Sequence, residues 1–200
     1  MWARLESNTI VEILTRPKAL NIGGTQYPSN IFSMWSNSEL ATIGIVPVTI
    51  DNTNFKNQEY YINTNQSFAY DTETGVATAT YGTATAKAIA DTLWTAQDET
   101  DGLGTEGEVA TRGLKYNHKE VINQQAAGAL APTDWMIIRA ADGGTAVPSS
   151  ITTKRAAVRT KANAMQVQID GAANVDALAA LYEYNDATPP VRPLGELPTV

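Results

Sequence analysis

The sequence predicts an α+β chain, with a small antiparallel β-rich amino-terminal unit, a helical hairpin or bundle region and an extended proline-rich carboxy-terminal tail. Three observations carry this reading. Before about Gly82, apolar residues alternate with period two between Gly, Asn and Pro turns, the pattern of half-buried strands. Beyond it they recur at steps of three and four, the spacing of one helix face. The closing stretch DATPPVRPLGELPTV holds four prolines, which favour an extended backbone able to lie along a partner. The predicted organisation is therefore a β-rich aromatic domain over 1–82, a helical domain over 83–185 with a mobile loop near 98–107, and a tail over 186–200.

The first element is a hairpin, WARLE and TIVEIL joined at Ser7-Asn8, with Trp2, Leu5, Ile10, Ile13 and Leu14 expected inside. Gly23-Gly24 marks a second turn. In SNSELATIG, Ser36 followed three residues later by Glu39 forms a capping box, so a short helix is expected from Asn37 to Ile43. Gly44 stops it, and Ile45–Ile50 continues as a strand. Tyr60–Ile62, Ser67–Tyr70 and VATATY complete the predicted β unit, with a turn at Asp71–Gly75 before the last.

In the second half, Ala86, Ile89, Leu93 and Ala96 fall on one predicted helical stripe with Trp94 beside it. The acidic, glycine-rich DETDGLGTEGE interrupts it. A second helix is expected from Glu108 to about Ala129, ended by Pro132. Thr133 is expected to cap TDWMIIRA, and Gly143-Gly144 to close it. The next helix opens near Ser149 or Ser150 and carries a seam of Ile151, Val158, Ala162, Met165 and Ile169. Asn174 caps a last short helix bearing Val175, Leu178, Leu181 and Tyr182.

Composition narrows function. The 200 residues, 43% hydrophobic, suffice for one core or two small ones, and the change of pattern favours two. Charged residues make up 18% against about 25% in an average domain, which leaves a neutral polar surface suited to packing against other proteins. A net charge of −7 gives no basic footprint for nucleic acid and disfavours anionic lipid. No apolar run approaches the roughly 20 residues that span a bilayer. The start MWARLESN lacks a hydrophobic signal core and reads as a mature end, made in a cytoplasm. The absence of cysteine excludes disulfides and thiol chemistry, and a lone His118 excludes a multi-histidine metal site. No cofactor and no enzymatic activity are expected.

The individual candidates read the same way. Asp98, Glu99, Asp101, Glu106 and Glu108 lack the alternating ligand spacing of a calcium loop and read as a solvated run. His118 reads as a hydrogen-bonded residue at a helix interface, since no nucleophile motif accompanies it. Arg155 and Arg159 share a helix face and read as solvated charges opposite the seam, with gripping of an acidic neighbour as the alternative. Trp135 and Trp35, each near a helix start, are expected to pin those helices onto a core. The seam residues, Arg155, Arg159 and Trp135 form the hypothetical protein interface. Exposed Trp and Tyr could equally make a platform for a host surface glycan or fill a core.

The segment TDWMIIR, followed by a Gly-Thr-Ala-Val-Pro turn and an RAAVR helix, resembles the carboxy-terminal helical segment of phage tail-fibre-associated and tail-fibre-assembly proteins. The wider chain, through NIFSMWSNSELATIGIVPV, YGTATAKAIADTLWTAQDETDG, RGLKYNH and RPLGELPT, resembles virion or tail-associated proteins of contractile-tailed phages of marine cyanobacteria. Where the fibre-assembly pattern often has Tyr before its Arg, Lys154 stands here. The resemblance implies a structural protein of the tail, baseplate or fibre apparatus, located in the virion and partnered by other phage virion proteins. With the seam, it also implies a homo-oligomer, with a trimer expected. A non-virion assembly chaperone for tail fibres is the alternative reading. A tail-associated cell-wall hydrolase, needing two carboxylates brought together by the fold, comes third.

Overall fold

The computed structural model describes residues 1–200, and its fold is α+β. Its internal contacts divide it into two units, Met1–Thr85 and Ala86–Val200.

In the first unit, Ser7 and Asn8 adopt φ of 49° and 62°. Two successive positive φ values make the tight turn that matches the right-handed twist of paired strands. They join β1 (Trp2–Glu6) to β2 (Thr9–Leu14), whose register slips at a bulge between Arg4 and Leu5. β3 (Leu20–Ile22) and β4 (Thr25–Tyr27) form a separate ribbon, turned at Gly23 and Gly24. A one-turn helix, α1 (Ile31–Met34), was not anticipated from the sequence. The capping box forms as expected and starts α2 (Asn37–Thr42), with the Glu39 carboxylate accepting from the Ser36 N–H at 2.8 Å.

Gly44 then takes φ +77°, and a Cβ placed there would lie 2.7 Å from the Leu5 carbonyl oxygen. Only glycine lets the end of α2 come this close to the bulged strand. β5 (Ile45–Asp51) follows, then β6 (Tyr61–Ile62), β7 (Gln66–Asp71), β8 (Val76–Tyr81) and β9 (Thr85–Ala86). The main sheet has the order β2-β1-β5-β8-β7. One pairing departs from the purely antiparallel unit expected: β5 and β8 run parallel, Val48 opposite Ala77.

The sheet curls until its edge strands β2 and β7 approach one another. Ala3, Ala77 and Ala79 are fully buried, as a tightly curled sheet requires of residues that face inward. One apolar cluster gathers Ala3, Val46 and Ala77 with Leu5, Ile10, Ile13 and Tyr70. Leu14, Leu20, Ile31, Leu40 and Ile45 form another, with Trp2 against Phe32 at 4.7 Å and Tyr27 edge-on to Trp35 at 5.9 Å. Trp35 is thus packed on this core, as expected.

The second unit corrects two expected helices. The stripe from Ala86 to Ala96 is not helical. It contains β10 (Thr92–Leu93), and α3 (Ala96–Thr100) begins only after Thr95, which forms its own capping box with Asp98. The acidic run is accordingly built into structure, with the Glu99 carboxylate accepting from the Glu106 N–H at 3.3 Å and Gly104 lying against the Trp94 ring. β11 (Val109–Thr111) pairs with β10, so the next helix, α4 (Leu114–Leu130), starts later than expected. Gly113 is its N-cap and offers no side chain to the first turn, but Asp91 holds the N–H of Gly113 itself. Its carboxylate takes the Gly113 N–H at 2.8 Å and pairs with Arg112 at 2.6 Å.

A 3-10 turn (Ala131–Thr133) links α4 to α5 (Asp134–Ala141), and α6 (Ser149–Gly171) and α7 (Val175–Ala180) follow. Asn174 caps α7 as expected, its side chain accepting from the Ala177 N–H at 2.8 Å. α4 buries Leu114, His118, Ile122 and Ala126, at four-residue steps along one face, and packs against α6. The two run antiparallel, because Lys119 near the start of α4 pairs with Asp170 near the end of α6 at 2.8 Å, while Asn123 and Gln166 meet at 2.7 Å.

The tail contains no helix or strand, but it does not extend freely toward a partner. Leu194 is fully buried, its N–H donates to the Leu181 carbonyl at 3.0 Å, and Lys161 donates to the Leu194 carbonyl at 2.8 Å. Arg192 lies over the rings of Tyr182 and Tyr184 and pairs with Glu196 at 2.8 Å. The segment is folded back onto its own helices.

Candidate functional site

The seam predicted on α6 exists, and the chain itself covers it. Val158, Met165 and Ile169 are fully buried, Ala162 nearly so, and Ile151 is half-buried. Since α4 packs on α6, these residues form the core of the second unit rather than an open face for copies of the chain. The sequence expectation that they make the intermolecular interface is corrected on that ground.

Arg155 is also corrected. It is not a solvated charge: only 8% of the residue is exposed. Its guanidinium donates to the Leu130 carbonyl at 2.8 Å, to the Thr133 hydroxyl at 2.6 Å and to the Asp134 carboxylate at 2.7 Å. The Thr133 hydroxyl in turn donates to the Leu130 carbonyl at 3.0 Å, so it does not cap α5 as expected. A planar, multi-donor guanidinium is the side chain suited to gathering three oxygens in this way. It ties the end of α4, the 3-10 turn and the first residue of α5 to the first half of α6. A signal was present in the sequence: the seam leaves a seven-residue gap between Ile151 and Val158, and Arg155 fills it at the helical spacing. Arg159, one turn on, is exposed as expected.

Two residues of Thr133-Asp134-Trp135 are thus occupied by Arg155, and the third is not. Trp135 is 53% exposed, which overturns its expected role as a core anchor. No residue of α5 is buried; Ile137 and Ile138 are 43% and 63% exposed. The Arg139 guanidinium lies 4.8 Å from the centre of the Trp135 ring. Its Nε is buried without a hydrogen-bond partner, so it gains from the ring face what it lacks in acceptors. The result is a short apolar helix tied to α6 at its first residue, with Trp135, Ile137 and Ile138 open to solvent.

Elsewhere the geometry is less directed at a ligand. His118 is buried on α4 with its ring 4.8 Å from that of Tyr182, the helix-interface position expected. No group of three or more His, Cys, Asp or Glu side chains is placed to hold a metal ion. No helix is long and apolar enough to cross a membrane. The carboxylates with displaced ionisation serve local structure. Hydrogen bonds from Thr95 hold Asp98 below the usual carboxylate range, and the Gly113 N–H, then Arg112, does the same for Asp91. The hydrogen bond from Tyr184 lowers Glu196 and raises the tyrosine in return. A shallow groove of about 400 Å³ runs between the end of α4 and the tail, lined by Gln125, Gly128, Pro132, Arg192 and Glu196 among others.

No protein-family model matches the chain, and no curated protein or solved structure does.

Proposed function

We propose that the chain is a structural component of a phage virion, in the tail, baseplate or fibre apparatus, that works through protein–protein contacts and not through catalysis. One observation carries the reading: α5 is tied at its first residue to the buried Arg155, yet presents Trp135, Ile137 and Ile138 to solvent. A large ring fixed in position before binding loses little freedom when a partner covers it, which is the character of an interface anchor. The low charge content supports the same reading. So does the resemblance of the TDW segment and its flanking stretches to phage tail proteins. Other virion proteins and further copies of the chain are the proposed partners.

A second reading is favoured specifically by the TDW segment, whose resemblance extends to proteins that assist fibre assembly. On that reading the exposed α5 face holds a tail or fibre subunit before it is built in, and the protein then leaves. Mass spectrometry of gradient-purified particles, with copy number measured against the major capsid protein, separates the two. A fixed low copy number supports a virion component. Absence from particles, with abundance in the infected cell, supports the chaperone and refutes the structural role.

A further inference from the structure

We infer that α5 is a self-association face on which two copies of the chain pair antiparallel about a two-fold axis at Ile138. The inference deepens the assembly role above and rests on it only in reading the exposed face as a contact surface. Three features of α5 select a second copy as the occupant.

The first is its charge pattern. In an antiparallel pair centred on Ile138, position 135 of one helix faces position 141 of the other, and position 134 faces position 142. The Arg139 guanidinium lies over the Trp135 ring and pairs with no carboxylate of its own chain. The exposed Asp142 at the far end of the partner helix therefore arrives beside it, twice by symmetry. The second is that Asp134, which would otherwise repel the incoming Asp142, is already neutralised by Arg155 at 2.7 Å. The third is that antiparallel helices set opposite dipole ends side by side. A three-fold bundle on the α6 seam is not available, because that seam is buried within the chain.

The area sets the strength. With exposures of 53%, 43% and 63%, Trp135, Ile137 and Ile138 present roughly 300 Å² of apolar surface per copy. A pair built on α5 alone buries well under the ~1,200 Å² of a stable complex, so it dissociates readily, with a Kd on the order of hundreds of micromolar. Such a contact is populated where copies are concentrated by an assembly and is lost on dilution.

The test is analytical ultracentrifugation of the full chain from about 5 to 500 µM, with circular dichroism to verify folding of every variant. Wild type is expected to show a reversible monomer–dimer equilibrium. Trp135→Ala and Ile138→Asp should each weaken it at least tenfold with little change in melting temperature. Arg139→Glu and Asp142→Arg should each weaken it several-fold, and the double variant should recover most of the loss by exchanging the charges across the axis. A chain that stays monomeric at 500 µM overturns the proposal. So does an oligomer insensitive to Trp135 and Ile138, or a double variant no better than the two singles. Particle mass spectrometry is independent of this result, so failure of the pairing and failure of the virion reading are distinguishable.

Discussion

Replacing Arg155 with alanine should damage the second unit more than any exposed charge substitution. The guanidinium makes three hydrogen bonds, at 2.6, 2.7 and 2.8 Å, from a side chain only 9% exposed. A hydrogen bond to a charged group contributes about 1.5–3 kcal/mol, but two circumstances reduce the total here. The Leu130 carbonyl keeps the Thr133 hydroxyl as donor, and Asp134, 54% exposed, is rehydrated once released. The Thr133 hydroxyl keeps Leu130 as its acceptor, so the main losses are the charged bonds and the packing of the buried stem. The net cost works out near 3 kcal/mol. Arg155→Lys, which keeps the charge without the fork, should lose about half of that. Urea unfolding followed by far-ultraviolet circular dichroism measures both. A double-mutant cycle with Asp134→Asn should assign about 1 kcal/mol to the ion pair, because one partner is half in water. An Arg155→Ala variant within 0.5 kcal/mol of wild type would refute the clamp and return Arg155 to the ordinary surface charges.

Three further outcomes follow from other positions. Met165→Ala, at a fully buried site on α6, should cost about 3 kcal/mol in urea unfolding, whereas Val167→Ala, 70% exposed on the same helix, should cost almost nothing. Gly113→Ala should lower the melting temperature sharply, by about 2–4 kcal/mol in stability, because its Cβ would lie 2.3 Å from the Ala90 carbonyl carbon and oxygen. Asp91 is held below its ordinary pKa when folded, so it contributes stability above about pH 4 that is lost as pH falls through its lower folded value. Acid titration of thermal stability should therefore be shallower below pH 4 in Asp91→Asn than in wild type, and equal slopes would dismiss that contribution.

What could be read in the sequence was local. The Ser7-Asn8 hairpin, the Ser36–Glu39 capping box, the Gly44 stop, the α6 seam and the Asn174 cap each depend on residues within a few positions of one another. What misled was settled at a distance. The stripe from Ala86 to Ala96 has helical spacing, but Asp91 is recruited by Gly113 and Arg112, far along the chain, and Thr95 caps a helix of its own. The parallel pairing of β5 and β8 leaves no mark on either strand's composition. For Arg155 charge and periodicity point opposite ways, and the seam position prevails because three oxygens meet its guanidinium there. Trp135 stands at a helix start like Trp35, where a large ring commonly pins the helix to a core, and only the contacts of Thr133 and Asp134 show that α5 turns it to solvent.

The reach of Arg155 also orders events in time. The residues that it fixes lie 21 to 25 positions earlier, so α5 emerges from the ribosome before its tether does. At about 5–20 residues per second, the interval lasts roughly one to five seconds. During it, an apolar helix bearing Trp135 and Ile138 has no fixed orientation and is open to capture by whatever is being synthesised nearby. On the pairing inferred above, copies emerging together on one messenger would meet in that window, before either fold is complete.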